Sequence, residues 1–303
     1  MRAKIFESKD TNVKKFVFEY DAPKGIAEAV LYRYGDYRKR TVICCSVMSG
    51  CPVGCTFCGT GKFFIRNLTA NEIALQVQDC LKTIDCPTQA IEKFQIMFMS
   101  MGEPMMNYEN LAEAIRHLHH LYPNAQLLVS TSAPEQTYRH MSKFIQLSRD
   151  IDKVGLQFSV HESTDENRAK LIPTKTSSLR QIAALGEMWA SFVGRKPYYN
   201  YCVHEGNNDL SDAIRLTELF KPSVWETTLS VICEKDESVK ASIERQLDII
   251  NSFARKMTDL GASIHVFNPA GQDDIGGGCG QLWYFQEWLK ANHWPLIQYP
   301  KEL

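Results

Sequence analysis

Three cysteines in the first fifth of the chain are spaced to bind an iron–sulfur cluster. Cys51, Cys55 and Cys58 form a Cys-x3-Cys-x2-Cys triplet. Close spacings of this kind let one short loop wrap thiolates around a cluster. A cluster of four irons needs four ligands, so three cysteines leave one iron open. The spacing therefore predicts a cluster with a free position for a small molecule.

Zinc is the alternative occupant of such a triplet, because tetrahedral zinc sites also use cysteines a few residues apart. A structural zinc site needs a fourth ligand, usually from a second Cys-x-x-Cys or a histidine pair, and neither occurs here at a familiar spacing. Phe57, just before the last cysteine, and the small run Gly59–Gly61 after it are typical of a loop wrapped closely around a cluster. The residues favour the cluster, and zinc stays as the alternative.

The elements that must position this loop follow from the pattern after residue 40, where short β-branched runs alternate with helical periodicity. The predicted strands are Thr41–Val47, Phe94–Met99, Gln126–Ser130, Val154–Val160, Tyr198–Val203, Thr227–Ile232 and Ser263–Phe267. The first predicted helix opens with Thr69-Ala70-Asn71-Glu72, which fits a capping box. Six strand–helix units predict an α/β fold with a parallel sheet, curved into a partial (β/α)6 barrel.

A β hairpin is predicted before the barrel, where two alternating runs flank the turn Ala22–Gly25. The first run is Lys15–Tyr20 and the second is Ala27–Tyr32. The predicted division of the chain is therefore a hairpin extension over 1–40, a barrel over 41–270 and a C-terminal segment over 271–303.

Composition and charge indicate the cellular compartment of the protein and its attraction for nucleic acid. The chain has 303 residues, ten dispersed cysteines and a net charge of −1. It has no apolar run long enough for a membrane span and no hydrophobic signal region at its start, so we expect a cytoplasmic protein in a reducing compartment. The net charge gives no bulk attraction for nucleic acid. The basic residues that stand near the cysteine loop in the sequence are Arg33, Arg38, Lys39, Arg40, Lys62 and Arg66.

Polar clusters follow several predicted strands, and in barrels chemistry is found at the carboxyl ends of the strands. The clusters are Gly102-Glu103-Pro104, Ser130-Thr131-Ser132, Ser159-Val160-His161 and the Asp273–Leu282 run that contains Cys279. Each has a simpler interpretation: an ordinary turn, helix-capping serines, a structural histidine, and a glycine-rich loop with an incidental thiol. Their joint placement on one rim favours a functional site.

Taken together these residues resemble the radical S-adenosylmethionine (SAM) RNA adenine methylases of the RlmN/Cfr family. The resemblance runs from about Glu28 to Leu282. Its most specific parts are the long cysteine loop with Cys44 upstream, the Met-Gly-Glu-Pro turn, the Ser-Val-His strand end and the Asp-Asp-Ile-x3-Cys-Gly-Gln-Leu segment.

The resemblance implies a radical-SAM barrel and a role for each matching residue. Cys51, Cys55 and Cys58 would hold a 4Fe-4S cluster whose open iron binds SAM. The residues lining the SAM pocket would be Gly102, Glu103, Ser130, Ser159, Val160 and His161. Cys279 would carry a methyl group to the substrate, with Cys44 as the second essential cysteine and Glu28 as a candidate proton acceptor.

The family's route methylates carbon-2 or carbon-8 of an adenine in RNA and leaves a disulfide between Cys44 and Cys279. It also implies an electron donor such as flavodoxin or ferredoxin. Two alternatives stay open: the same chemistry on a small metabolite or peptide, and a non-catalytic RNA-binding or metal-binding relative. The sequence departs from the family where only a hairpin is expected before the barrel, where Cys233 stands at the place of a SAM-contacting asparagine, and at Gly276–Gly278.

Overall fold

The computed structural model describes residues 2–61, 63–231, 239–267, 275–276 and 282–293. Its strands are β1 (Arg2–Glu7), β2 (Val13–Asp21), β3 (Lys24–Arg33), β4 (Arg40–Cys44), β5 (Met48–Gly50), β6 (Phe64–Asn67), β7 (Lys93–Phe98), β8 (Gln126–Thr131), β9 (Val154–Ser159), β10 (Tyr198–Cys202), β11 (Glu226–Ser230) and β12 (Ile264–Phe267). Its helices are α1 (Ala70–Leu81), α2 (Tyr108–Leu121), α3 (Glu135–Asp150), α4 (Asp165–Leu171), α5 (Leu179–Val193), α6 (Leu210–Leu219), α7 (Val239–Asp259) and α8 (Trp283–Ala291).

One ten-stranded sheet organises the described chain, in the order β1-β2-β3-β4-β7-β8-β9-β10-β11-β12. The strands from β4 to β12 in this order are all parallel to their neighbours. Helices α1 to α7 lie between successive parallel strands in the chain. This confirms the predicted α/β class, with six strand–helix units and β12 as a seventh parallel strand.

The predicted hairpin is present and continues the same sheet. Strand β1 pairs antiparallel with β2, β2 with β3, and β3 with β4, so β1 and the two hairpin strands add three antiparallel strands to the edge of the parallel sheet. Because side chains alternate between faces, the hairpin buries two different sets. One set belongs to the main core: Phe16, Phe18, Ala27, Ala29 and Leu31. The other faces the C-terminal segment: Val13, Val17, Ile26 and Val30.

Helix α1 begins with the predicted capping box. The Thr69 hydroxyl accepts from the backbone N–H of Glu72, and the Glu72 carboxylate accepts in return from the backbone N–H of Thr69. The buried stripe below the cap packs on the hairpin and on the parallel strands: Ile73, Ala74, Val77 and Cys80. No helix among the described residues is both long enough and apolar enough to cross a membrane.

Candidate active site

The cysteine loop lies between two short strands that pair with each other. Strands β5 and β6 form a separate two-stranded sheet, and the backbone N–H of Cys51 donates to the carbonyl of Phe63 at 2.6 Å. At Gly50 φ is +80°, and a β-carbon there would lie 2.4 Å from the Phe63 oxygen. Only glycine fits such a position without strain. The two strands therefore close the base of the loop just before its first cysteine.

Within the loop, backbone turns fix the spacing of the other two cysteines. The N–H of Cys58 donates to the carbonyl of Cys55 at 3.2 Å, and the N–H of Gly61 donates to the carbonyl of Cys58 at 2.9 Å. The Sγ of Cys58 lies 3.1 Å from the hydroxyl oxygen of Thr60. The loop is also tied to helix α4, because the N–H of Thr56 donates to the carbonyl of Leu171 at 3.0 Å.

The three cysteines of this loop are partly buried, and their thiols are close enough to influence one another. Burial raises the pKa of Cys51 and of Cys55 well above the usual range, and the neighbouring thiols raise both pKa values further. Such thiols stay protonated until a metal displaces the proton. A set of three thiol donors on one tight loop fits a cluster with one open iron.

The described residues also limit single-ion sites. No three His, Cys, Asp or Glu side chains among them are close enough to hold one metal ion. The cysteines of a four-iron cluster each bind a different iron, so they do not need to converge on one metal ion.

Gly102 brings the end of β7 against the start of the cysteine loop. Its φ is +100°, and a β-carbon there would lie 2.6 Å from Cβ and 2.8 Å from the backbone nitrogen of Met48. The Met101 carbonyl accepts from the N–H groups of Val47 and Met48 at 2.9 and 3.2 Å. The close approach of the two backbones therefore depends on the missing side chain.

The carboxylate of Glu103 is buried and accepts four hydrogen bonds. Oε1 accepts from the Thr131 hydroxyl at 2.6 Å and the Met105 N–H at 3.0 Å. Oε2 accepts from the N–H and the hydroxyl of Ser132, both at 2.8 Å. Burial raises the pKa of Glu103, and these donors offset part of that effect. The side chain thus joins the ends of β7 and β8, and four hydrogen bonds occupy the lone-pair positions of the carboxylate.

Two predicted serines meet on neighbouring strands. The hydroxyl oxygens of Ser130 and Ser159 are 3.4 Å apart at the carboxyl ends of β8 and β9. On the next two strands the Ser230 hydroxyl donates to the side-chain oxygen of Asn200 at 2.9 Å. Asn200 and Ser230 in this row are not predictable from the sequence, because isolated polar residues in a strand pattern give no signal of their own.

Arg168 holds the same strand ends together and was not predicted. It is 2% exposed, and its guanidinium donates to the carbonyl oxygens of Ser132 at 2.7 Å and Ser159 at 3.0 Å. Its remaining acceptors are Val160, Thr176 and Ser177. Burial lowers the pKa of Arg168 to about 10, still far above neutral pH. A positive charge is therefore fixed beside the cysteine loop.

His161 combines backbone strain with an unpartnered buried atom. Its φ is +62°, which a residue with a side chain rarely adopts. Its Nδ1 is buried with no hydrogen-bond partner, and its ring meets the Phe57 ring edge-on with 5.4 Å between centroids. Burial, helped by the charge of Arg168, lowers the pKa of His161 to about 3, so the ring is neutral. An orphaned polar atom on a ring that contacts the cysteine loop fits a site that a polar cofactor completes.

The structure describes two of the three predicted catalytic residues. Cys44 ends β4 between Val30 of β3 and Met97 of β7, and burial raises its pKa to about 12. All the described cysteines, Cys44 included, are free thiols. Glu28 is fully buried in β3, where it pairs with Lys15 and accepts from the N–H of Phe285 at 2.6 Å. Cys279 and Cys233 lie outside the described residues.

The basic run is not at the site end of the sheet. The run Arg38-Lys39-Arg40 leads into β4, whose first residue is Arg40, whereas the cysteine loop follows the strand, so about 13 Å of strand separates the two. Arg40 stacks over the Tyr34 ring at 4.3 Å. Arg66 does lie beside the loop, but both of its terminal nitrogens bond the Glu72 carboxylate, at 2.8 and 2.7 Å. Sequence proximity was misleading here because the residues before a strand and those after it lie at opposite ends of that strand.

Comparison with known proteins gives relatives along most of the chain. No protein-family model matches it. A probable dual-specificity RNA methyltransferase RlmN of Thermotoga neapolitana is 31% identical over 284 residues, which cover 91% of this chain and 77% of the relative. A protein of the same description from Thermus thermophilus is 31% identical over 285 residues, covering 91% and 76%.

A solved structure extends the likeness to three dimensions. The crystal structure of a radical SAM methyltransferase from Sphaerobacter thermophilus superposes with a TM-score of 0.74 at 26% identity, covering 92% of this chain and 79% of that one. It supports the partial-barrel architecture expected from the sequence. The chain belongs to the RlmN family and is a radical-SAM methyltransferase.

Proposed function

We propose that the protein methylates carbon-2 or carbon-8 of an adenine in RNA through a methyl group carried on Cys279. The observation that carries this proposal is the similarity to relatives described as RNA methyltransferases, which spans 91% of the chain. The proposal includes a cytoplasmic location and an electron donor of the flavodoxin or ferredoxin kind. It keeps the three-part division of the chain at residues 40 and 270.

The cofactor site in this proposal uses the residues at the rim of the sheet. Cys51, Cys55 and Cys58 hold a 4Fe-4S cluster, and the SAM pocket is lined by Gly102, Glu103, Ser130, Ser159, Val160 and His161. When bound, the cluster would take SAM at its open iron, supply the electron that cleaves it to a deoxyadenosyl radical, and accept an electron back later in the cycle. The four hydrogen bonds to Glu103 support a positioning role for that carboxylate at the rim.

Two thiols explain how a methyl group reaches such a carbon. An amidine carbon of adenine is electrophilic and has no acidic proton, so it does not accept a methyl cation directly. The Cys279 thiolate first displaces S-adenosylhomocysteine from one SAM and keeps its methyl group. A hydrogen atom is removed from that methyl, whose carbon then bonds to the ring. The ring hydrogen leaves as a proton, and Glu28 is the proposed acceptor.

Release of the product falls to Cys44. Its thiolate attacks the Cys279 sulfur, forming a disulfide while the carbon–sulfur bond breaks. The bonding pair passes to carbon, which takes up a proton to complete the new methyl group. Two electrons from a reductant then restore the thiols. Because burial raises the pKa of Cys44 to about 12, this thiol needs a base or a changed environment before it attacks.

The charge distribution favours an adenine that is already unpaired. Phosphate contacts supply most sequence-independent affinity for RNA, and the chain has a net charge of −1. Its exposed basic run lies at the amino end of β4, away from the cysteine loop. Pulling a paired base out of its stack costs a few kcal/mol. Of the described cations beside the cysteine loop, Arg66 is paired with Glu72 and Arg168 is buried, so neither offsets that cost and an unpaired base is the better substrate.

Substrate class is tested by offering the reduced holoprotein methyl-labelled SAM with three fractions. These are total RNA, short single-stranded RNA and an RNA-free extract of metabolites and peptides. We expect label in adenine of both RNA fractions. Label confined to the RNA-free extract would reject RNA and support a small substrate, and no label in any fraction would support a non-catalytic relative.

The cluster is tested by iron content. Anaerobically purified protein is expected to be brown with about four irons per chain, and Cys58→Ala is expected to lose them. Cys86→Ala is the matched control, because Cys86 follows helix α1 in a different part of the chain. A colourless protein that binds zinc tightly would contradict the radical mechanism.

The carrier thiol is tested by mass. Peptide mass spectrometry of the active protein is expected to find a methyl group on Cys279. Cys44→Ala is expected to trap a covalent adduct with substrate, because nothing remains to attack the sulfur. An unmodified Cys279 in fully active enzyme would reject this assignment.

A further inference from the structure

A buried ion pair lies inside the N-terminal hairpin. The side chains of Lys15 and Glu28 are 1% and 0% exposed and in direct contact. Val17 of β2 stands opposite Glu28 of β3, so Lys15 is the diagonal neighbour of Glu28 on the same face. Removing two charges from water costs several kcal/mol per ion unless further bonds compensate. The further bonds of this pair show what it holds.

Both partners bond the C-terminal segment. The ammonium group of Lys15 donates to the carbonyl of Gly276, and Glu28 Oε1 accepts from the N–H of Phe285 at 2.6 Å. Lys15 also lies over the Tyr284 ring, 5.5 Å from its centroid. These contacts join residues that are 261 and 257 positions apart in the chain.

The same pair is tied to the rim of the sheet through the backbone of Glu28. Its carbonyl accepts from the Ser46 hydroxyl at 2.6 Å and the Ser100 hydroxyl at 2.7 Å. Ser46 follows β4 and Ser100 follows β7, the strands that lead to the cysteine loop and to Gly102. Glu28 therefore links the rim, through its backbone, to the C-terminal segment, through its side chain.

Apolar packing surrounds the pair and reaches the cysteine loop. Leu282, Phe285 and Leu289 share a cluster with Val17 and Ile26 of the hairpin. Cys58 and Phe63 pack against that cluster, and the rings of Phe63 and Phe285 meet edge-on at 6.5 Å. Helix α8 thus lies against both the hairpin and the loop.

We propose that the Lys15–Glu28 pair is a clasp that fixes the two flanks of the segment carrying Cys279. Lys15 holds Gly276 on one side and Glu28 holds Phe285 on the other. Three residues of extended chain reach at most about 11 Å, so fixing Gly276 and Leu282 limits how far the segment between them carries a thiol from the hairpin. Lys15 is a positioning residue in this view, and the inference rests on the proposed function, which gives Cys279 its role.

If the pair contributed only to stability, a variant that restores stability would also restore the wild-type behaviour of the C-terminal segment. A clasp predicts that it would not. Replacing a buried ion pair by uncharged groups of similar size is often neutral or stabilising. The double variant Lys15→Met with Glu28→Gln removes both charges and keeps an acceptor for the Phe285 N–H, but it has no donor for the Gly276 carbonyl. The fold is therefore retained while one flank is released.

The test measures the rate at which iodoacetamide alkylates Cys279 in the full-length cluster-free protein, resolved by peptide mass spectrometry. Lys15→Met and the double variant are compared with Lys4→Met, whose lysine is 66% exposed on β1, the strand next to the hairpin. We expect both Lys15 variants to raise the rate about tenfold, since a hydrogen bond from a charged donor is lost, and the control to match wild type. The double variant is expected to regain the unfolding midpoint of wild type and to keep the raised alkylation rate.

Equal alkylation rates in the double variant and the control would overturn the clasp. A second measurement needs no variant: hydrogen exchange at the Phe285 amide of wild type should be as slow as in β2 and β3, and exchange as fast as in an exposed loop would also overturn it. Neither experiment uses SAM or RNA. A protein that fails to methylate RNA would therefore reject the proposed function without changing these results.

Discussion

The buried carboxylates of Glu103 and Glu28 are held by different kinds of partner. Glu103, at the rim of the sheet, accepts four hydrogen bonds from uncharged donors within the next turn and the end of β8. Glu28, in the hairpin, is neutralised by the charge of Lys15 and accepts one bond from helix α8.

The difference distinguishes the rim, which the parallel sheet itself assembles, from the C-terminal segment, which is attached to the hairpin. The donors to Glu103 lie in its own turn and at the end of β8, which the sheet already places beside β7, so this carboxylate is held without a cation. The partners of Glu28 come from opposite ends of the described chain. An ion pair there is strong only when both charges are present, and this makes the hairpin the more fragile of the two regions.

The largest expected effect is that of Glu28→Gln. It leaves the Lys15 charge buried without a partner, which costs about 4 kcal/mol of unfolding free energy. Adding Lys15→Met in the same chain is expected to recover most of the loss, as measured by urea unfolding. A double variant no more stable than Glu28→Gln would contradict the pairing.

The second largest effect is expected for Arg168→Met. It should lower the free energy of unfolding by about 3 kcal/mol, because several buried acceptors lose their donor. Its guanidinium binds the ends of β8 and β9, so the damage should be confined to the rim. Arg149→Met, at an exposed position on α3, is the control. Hydrogen exchange should accelerate around Ser132 and Ser159 and stay slow in the hairpin. The reverse pattern would remove the distinction between the two regions.

Glu103→Gln is expected to lower the free energy of unfolding less than Glu28→Gln does. The amide keeps one acceptor but turns a donor toward other donors, at a cost of about 2 kcal/mol. No charge is left unpaired, so the loss should be about half that of Glu28→Gln in the same urea assay. Equal losses would mean that charge is not what distinguishes the two carboxylates.

The smallest effect concerns the partly exposed pair of Arg66 and Glu72 beside the cysteine loop. Burial alone would raise the pKa of Glu72, but hydrogen bonds from Arg66 and Thr69 outweigh it and keep that pKa below its ordinary value. The pair therefore stabilises the fold above the unfolded-state pKa and loses this contribution as pH falls through the lower folded-state pKa. We expect no more than about 0.5 kcal/mol, seen as a difference in unfolding free energy between wild type and Glu72→Gln at pH 7 that disappears as pH falls below the folded-state pKa of Glu72.

Much of the scaffold was predictable because its signals are local. Each predicted strand from Thr41 to Phe267 that the structure describes begins within one residue of its observed start, and the capping box at Thr69 is present. Strand β1 was missed because its side chains are mostly exposed. Helix α8 was missed because Leu282, the residue before its first turn, provides no side-chain cap.

The site was less predictable because its partners come from separate segments. Nothing near Arg168 in the sequence indicates that its acceptors lie in Ser132, Ser159 and Ser177. In the same way, Lys15 stands at a position in β2 where the alternating sequence predicts a solvent-exposed side chain. Its burial follows from contacts with Gly276 and with Tyr284 of helix α8, which are distant in the sequence. The cysteine triplet is the exception, since one loop contains all of its ligands.

The order in which a ribosome makes this chain gives the covered face of the hairpin a further consequence. Strands β2 and β3 pair locally and are made before the parallel strands, but their second apolar face meets Ile275, Leu282 and Phe285 only after more than two hundred further residues have been made. Until then Val13, Val17, Ile26 and Val30 are exposed to water beside a lysine and a glutamate that the finished fold buries. Such surfaces favour association between nascent chains. We expect the two charges in their midst to oppose such association during synthesis, and in the folded chain, where helix α8 covers this face, they form a buried ion pair.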